Sequence, residues 1–418
     1  MLAKIAWQSL RSRRYTAWLT LLSIAISVFV LLGVEHIRFE AKESFSKTVS
    51  GVDLIAGART GQLNLLLYSV FRIGNPTNNI SWQSYQAFAN DPKVAWTIPI
   101  SLGDSHRGFR VVGTTGDFFE RFRFGENARL DFSEGRAFAK VFDVVLGADI
   151  AKKLNYRLHD PIVLAHGLGQ VSFSSHDDRS FTVTGILKPT GTPADQALYI
   201  SLQGMEAIHL NWRDGVKIPG KRIMDEDIEK RDLTPKSITA FMIGLQSKMA
   251  TFQVQRQINQ YAKEPLLAIL PGVTLMELWE MMRAMENTLQ LISYLVLFSA
   301  LLGLSTMLLS SIRERQREIA VMRAIGASSW FVFLIIQLEA LLIVLSAIIL
   351  AICLLAVALH FSKTYLAENF GIFISNLVMN DSIIMHLGII VASTFLLSLI
   401  PALSAYRLSL HQGLTVRN

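Results

Sequence analysis

The sequence predicts a membrane α-helical protein with four transmembrane helices and a large, two-lobed extracytoplasmic α+β domain between helices 1 and 2. Three observations predict it. Four stretches, 15–34, 287–312, 324–362 and 382–406, hold about 20 or more residues with almost no charge, the length a helix needs to cross a bilayer. Lys and Arg crowd beside the ends of these stretches on one side only. The long block between the first and second stretches has near-balanced charge and mixed strand and helix patterns. With 51% apolar and 17% charged residues and a single Cys, the chain is neither disordered nor a disulfide-stapled secreted module.

In residues 1–14, Leu2, Ile5, Ala6 and Leu10 fall at helical spacing among Lys4, Arg11, Arg13 and Arg14. That reads as an amphipathic helix on the membrane surface, or as a plain basic flank that sets orientation. The first spanning helix follows at 15–35. Its apolar run is too long for a signal peptide and no A-x-A-like cleavage site follows, so it reads as a retained helix. The outer domain occupies 36–274. Strand patterns cover 49–56, 109–113, 143–146, 162–165, 181–187, 197–200 and 238–245, and helical spacing covers 82–89, 148–154 and 251–261. The charge-dense run 225–233 reads as a solvated helix or loop. From 275 to 312 apolar residues recur at helical spacing into the second spanning segment, predicting a stalk continuous with that helix, or a separate helix packed on the domain. Residues 313–329 form a short connection, 330–361 the third spanning helix, 362–381 a short outer loop, 382–406 the fourth spanning helix and 407–418 a tail.

The net charge of +7 resolves into topology. Ten bases, Lys4, Arg11, Arg13, Arg14, Arg313, Arg315, Arg317, Arg323, Arg407 and Arg417, flank the helices, against Glu314 and Glu318 only. Residues 35–286 hold 29 bases and 28 acids. Both termini and the 313–329 loop are therefore expected in the cytoplasm, with 36–274 outside. Near neutrality of the large polar block argues against nucleic acid as a partner.

Chemistry-bearing motifs are sparse. There is no phosphate-cradling G-x-x-x-x-G-K-[ST] loop, and no H-E-x-x-H, C-x-x-C or G-x-S-x-G. His159, His166 and His176, with Asp177 and Asp178, fit no standard ligand spacing and read as a surface loop. No catalytic residue, metal site or cofactor of the chain's own is expected. Glu339 is the one acid inside a spanning segment, either a structural partner or a coupling group, while His360 and His386 read as interfacial. The informative segment is 313–329. Glu318 and Arg323 sit among Ile319, Met322 and Ile325, Gly326 ends the helix, and Ser328 can cap the next one. A small amphipathic helix of this kind suits the groove of a partner protein.

Residues 317–328, REIAVMRAIGAS, resemble the coupling region of the MacB/FtsX-like ABC transporter permeases, the type VII or mechanotransmission group. The resemblance covers nearly the whole chain. Residues 5–20 look like the family's amphipathic and first membrane helices, and 401–408 (PALSAYRL) like its closing segment. DLIAGA at 53–58, GNPT at 74–77, VLG at 145–147 and FTVTGILK at 181–188 resemble the MacB-like periplasmic domain.

The resemblance implies a bacterial inner-membrane permease that pairs with a second permease chain, as a homodimer or a pseudo-symmetric pair. Each coupling helix would dock on an ABC ATPase, here a separate subunit because no ATPase domain is fused, and that subunit would carry the ATP and Mg. Glu318, Met322, Arg323, Ile325, Gly326 and Ala327 would form the ATPase contact. Motion relayed along the stalk would drive export or extraction of a lipoprotein, peptide, lipid or small hydrophobic molecule, with a periplasmic adaptor or binding protein as a further partner. The alternative is an FtsX-like regulator that activates a periplasmic enzyme and transports nothing. A membrane-anchored enzyme has only the scattered histidines behind it.

Overall fold

The computed structural model describes residues 2–48, 50–125, 127–166, 175–210, 212–213, 216–217, 231–370 and 380–411. Contacts divide the chain into two compact units: Met1–Ala41, Met282–Leu366 and Ile374–Asn418 form one, and Lys42–Met281 with Ala367–Phe373 the other.

The first unit is helical. A short helix α1 (Leu2–Ser12) precedes α2 (Arg14–Lys47), and after the outer domain come α3 (Pro271–Glu314), α4 (Gln316–Ala324), α5 (Ser329–Phe370) and α6 (Asp381–His411). Helices α2, α3, α5 and α6 are long and apolar enough to cross a membrane. Pro271 opens α3, where its missing N–H costs nothing, and the helix then runs unbroken through the stalk segment and the second span. Helix α5 continues through Phe370, past the position where the sequence suggests a loop.

One face of α3 buries Leu297, Leu301, Leu304, Leu308 and Ile312 at steps of three and four, while Leu295, Phe298 and Leu302 remain exposed for lipid. Helix α5 buries the small residues Ala340, Ala347 and Ala351, which allow close backbone approach where no hydrophobic effect drives helices together. Pro401 lies inside the continuous helix α6 and cannot donate to the carbonyl of Leu397. Ser305 Oγ on α3 supplies the missing donor to Leu397 O at 3.2 Å. In an apolar medium an orphaned carbonyl is costly, so this cross-helix bond makes the proline tolerable.

The outer unit is built on a ten-stranded mixed sheet. Its strands are β1 (Leu54–Ala58), β2 (Val94–His106), β3 (Phe109–Thr114), β4 (Phe132–Gly135), β5 (Asp143–Leu146), β6 (Pro161–His166), β7 (Ser175–Leu187), β8 (Ala197–Ser201), β9 (Ala240–Leu245) and β10 (Leu266–Ile269). The order is β10-β1-β9-β2-β3-β8-β5-β7-β4, with β6 pairing β7 and β2. The expected two lobes are not separate: β2 joins two halves of one sheet, and a core holding Ile98 and Met242 of one half with Val145 and Tyr199 of the other runs beneath both. The first half of β2 pairs β9, from Val94↔Leu245 to Ile100↔Ala240, and its second half pairs β3 and β6. Each half has a further cluster of its own, Leu54, Tyr85 and Phe241 in one and Val144, Phe181 and Ile200 in the other.

Two of the glycines quoted from the resemblance are close-approach positions against backbone. A Cβ at Gly147 would strike the carbonyls of Ala194 and Asp195, and one at Gly185 the carbonyl of Arg136. Asp195 is fully buried and closes the 190–195 loop, accepting from Thr190 N at 2.9 Å, Gly191 N at 2.8 Å and Thr190 Oγ1 at 2.9 Å. Of the charge-dense run, 225–230 lies outside the described residues, and Leu233 is buried.

Candidate functional site

The connection between α3 and α5 is shaped by its own residues. Helix α3 ends at Glu314, Arg315 leaves helical geometry, and α4 restarts as Ile319 N donates to Arg315 O at 3.0 Å. At the other end Gly326 takes φ +98°, a left-handed conformation that a β-carbon disfavours. Gly326 N donates to Arg323 O and Ala327 N to Met322 O, both at 3.0 Å, the paired bonds of a Schellman cap. Arg323 Nη1 adds a bond to Ala327 O at 3.0 Å. Phe331 N then donates to Ser328 Oγ at 3.2 Å, so Ser328 caps α5 as its position in the sequence suggests.

The residues picked from sequence divide by exposure. Glu318, Ile325 and Gly326 face solvent, with Ile325 81% exposed. Met322, Arg323 and Ala327 are half-buried. Ile319 and Met322, read from sequence as part of one apolar face with Ile325, turn inward instead. They line a small cavity of about 20 Å³ with Leu308, Ile312, Val332 and Ile336. The outward apolar face is Val321 with Ile325, and Val321 was missed because Ile319, Met322 and Ile325 fit the same helical spacing.

Beneath this helix lies an ionic node. Arg315 Nη1 donates to Glu339 Oε1 on α5 at 3.0 Å and to Ser9 Oγ on α1 at 2.5 Å, while its Nε donates to Glu318 Oε2 at 2.7 Å. Glu339 is buried and Arg315 nearly so. A buried carboxylate among apolar helices is costly unless paired and hydrogen-bonded, and Arg315 supplies both. Arg13 joins the same region, donating from Nη2 to Ser311 O at 3.1 Å and lying 3.4 Å from the exposed Glu314. Arg315 and Ser9 were not singled out in the sequence, because nothing in a run of alternating bases distinguishes the one that turns inward.

Towards the opposite end of the helices, Arg38 pairs with buried Glu35 at 2.8 Å and approaches Glu286 at 3.9 Å. His386 is not an open interfacial residue: it is buried, with Nδ1 2.6 Å from Ser382 O, its ring stacked on Tyr294 and Gln290 Nε2 at 3.4 Å. His360 is exposed.

In the outer unit His159 occupies a left-handed turn and donates its backbone N–H to Val183 O at 2.8 Å. The side chains of His166, His176, Asp177 and Asp178 lie outside the described residues. Among the described residues no three His, Cys, Asp or Glu converge as metal ligands. His106 contacts Val163 O at 2.6 Å and Tyr156 Oη at 3.0 Å, and burial pushes its pKa down. For His209 burial pulls the pKa down, but Asp104 at 3.6 Å outweighs it and the net shift is upward.

Residues 17–261 match the MacB-like periplasmic core domain, and residues 291–410 match the FtsX-like permease C-terminal segment. Two solved structures are similar. The periplasmic region of MacB from Actinobacillus actinomycetemcomitans is 9% identical, with 55% of this chain and 94% of that chain covered and a TM-score of 0.35. The extracellular domain of the noncanonic ABC-type transporter YknZ from Gram-positive bacteria is 12% identical, with 52% and 98% covered and a TM-score of 0.29. Among curated proteins none matches the chain.

Proposed function

The chain belongs to the family of MacB/FtsX-like permeases, transmembrane subunits of ABC-type transporters, and on that premise we propose that it converts ATP hydrolysis on a separate ATPase subunit into motion of its outer domain. The observation that carries this reading is the Arg315 node. Helix α4 presents Val321 and Ile325 outward, while the residue just before it bonds to Glu339 in α5 and Ser9 in α1. A push on α4 is thereby delivered to two other helices through charge-assisted bonds rather than through a loose loop. Helix α3, which enters the same loop at Glu314, begins at Pro271, so one hydrogen-bonded rod links the loop to the start of the stalk.

In this reading Glu318, Ile325 and Gly326, with Val321, meet the ATPase. Met322, Arg323 and Ala327 shape the turn that presents them. ATP and Mg belong to the partner, and the chain itself is not an enzyme. Both termini and α4 lie in the cytoplasm of a bacterial inner-membrane protein, and the domain between α2 and α3 lies in the periplasm. Two permease chains work as a pair, with a periplasmic adaptor or binding protein as a further partner. The cargo is an envelope molecule: a lipoprotein, peptide, lipid or small hydrophobic compound. The alternative reading is an FtsX-like regulator that activates a periplasmic enzyme and transports nothing.

The test is co-purification with an ABC ATPase subunit co-expressed with this chain. I325E is expected to weaken the complex by about tenfold or more, the loss typical of a buried anchor residue, without lowering the yield of folded chain. Unchanged affinity and unchanged stimulation of ATP hydrolysis by I325E and V321E would overturn the docking assignment. Recovery of a stimulated periplasmic hydrolase on the outer domain, with no lipid or peptide displaced, would replace transport by regulation.

A further inference from the structure

We propose that a groove between α1, α2 and α5 binds an anionic diacyl phospholipid, headgroup on Arg11 and Arg14 and acyl chain along α5. The groove has a volume of about 490 Å³, within the roughly 300–1,000 Å³ usual for small-molecule sites. Trp7, Arg11, Arg14 and Trp18 line it on one side and Leu342 and Leu350 on the other. No acid contributes to the lining.

The bland reading is that these arginines only snorkel at a helix end. Three observations separate the groove from that. First, the basic cluster is divided: Arg13 spends its guanidinium on Ser311 O and Glu314, whereas Arg11 has no hydrogen bond or ion pair among the described residues and Arg14 meets only Tyr15, through its hydroxyl at 3.4 Å and its ring face. Second, the lining is polarised end to end. The cations sit where α1 meets α2, and the apolar floor runs about 12 Å along α5 from Leu342 to Leu350, a length fixed by the helical rise. Third, the two indoles stand well exposed beside the cations, Trp7 at 61% and Trp18 at 58%, as side chains do that belong at the headgroup level. Cations flanked by indoles, with an aliphatic floor beyond them, match phosphate, glycerol ester and acyl chain. A free phosphate would leave the floor uncovered, and a zwitterionic lipid would set a choline cation against the arginines. The inference is independent of whether the complex transports or regulates.

The experiment uses the full chain in phosphatidylcholine nanodiscs with phosphatidylglycerol carrying a diazirine on its acyl chain. Photolabelling is expected within 342–350 and is expected to be competed by unlabelled phosphatidylglycerol. Phosphatidylcholine or inorganic phosphate should not compete. R11Q/R14Q should lower the labelling by about tenfold or more, as expected for two basic contacts at a membrane surface. R11K/R14K, which keeps the charge, should retain most of it, and S346F, which fills the floor and leaves both arginines, should abolish it. Equal labelling by the phosphatidylcholine analogue would reduce the groove to ordinary lipid contact and overturn the proposal. So would insensitivity to R11Q/R14Q, a loss in R11K/R14K as large as in the Gln variant, or competition by inorganic phosphate, which would mark a free-anion site.

Discussion

Asp195 in the outer unit and Glu339 in the membrane unit are both buried carboxylates, and they are held in opposite ways. In the outer unit Asp195 is held by Thr190 and Gly191, all within six residues of one loop. In the membrane unit Glu339 is held by Arg315, Gln337 by Ser398 at 2.6 Å, and the Leu397 carbonyl by Ser305, each from a different helix. A domain surrounded by water can place a polar loop at its surface and staple it locally. Helices in lipid close their backbone bonds internally; a hydroxyl such as Thr394 can turn back to the carbonyl four residues earlier, but a buried carboxylate needs a donor from another element. The contrast belongs to these two carboxylates: elsewhere the outer unit also joins distant residues, as where Leu102 N donates to Thr239 Oγ1 at 3.0 Å.

Four substitutions sharpen that contrast. The largest effect is expected from E339A, which takes the buried carboxylate from Arg315 and leaves it Ser9 and the exposed Glu318. About 3 kcal/mol of stability should be lost in detergent thermal or denaturant unfolding, the low end for breaking a buried pair, partly restored by R315Q in the same chain. If R315Q restored nothing, the node would not be a coupled pair.

Next comes pH. Burial pushes the Asp195 carboxyl up to about 6, against the bonds from Thr190 and Gly191 that pull it down. The folded state therefore binds the proton more tightly than the unfolded chain, and stability falls as pH rises from about 4 to about 6. The drop is at most about 3 kcal/mol and absent in D195N. Parallel pH profiles of unfolding for the two proteins would remove the local staple from the comparison.

G326A tests a local device inside the membrane unit. The φ of +98° should cost a β-carbon about 1–2 kcal/mol, and the frayed Schellman turn should lower ATPase stimulation more than it lowers the unfolding temperature. Equal losses would make Gly326 a stability residue alone. The smallest effect belongs to S305A, about 0.6 kcal/mol, the average worth of an interhelical bond in lipid. P401A should cancel it by returning an N–H to the Leu397 carbonyl. A S305A loss unchanged in the P401A background would mean that the serine does not serve that carbonyl.

Legibility in the sequence followed the range of the interaction that fixes each element. Trp82–Ala89, Asp143–Leu146 and Ala148–Leu154 form where their periodicity places them. Val94–His106 was missed, since Pro99, Gly103 and Asp104 break the strand pattern, and its extended form comes from partners on both edges. Leu202–His209 was also missed, although Ser201 Oγ accepts from Gly204 N at 2.9 Å and such a serine cap was a usable signal. At the candidate site the Gly326 stop and the Ser328 cap were legible, because each acts on its own neighbours. Glu339 stood out as a charge in an apolar helix, but its partner did not.

The sequence alone determined four helices able to span a membrane, the charge asymmetry beside them, the outer block and the turn that ends α4. Each follows from length, composition or bonds within a few residues. Only the tertiary structure decided which arginine of the 313–323 run meets Glu339, that Met322 faces inward while Val321 faces out, and that Arg13 is engaged while Arg11 and Arg14 line a groove. Neighbouring residues on a helix are chemically alike but point some 100° apart, so their roles are assigned by what packs against each face.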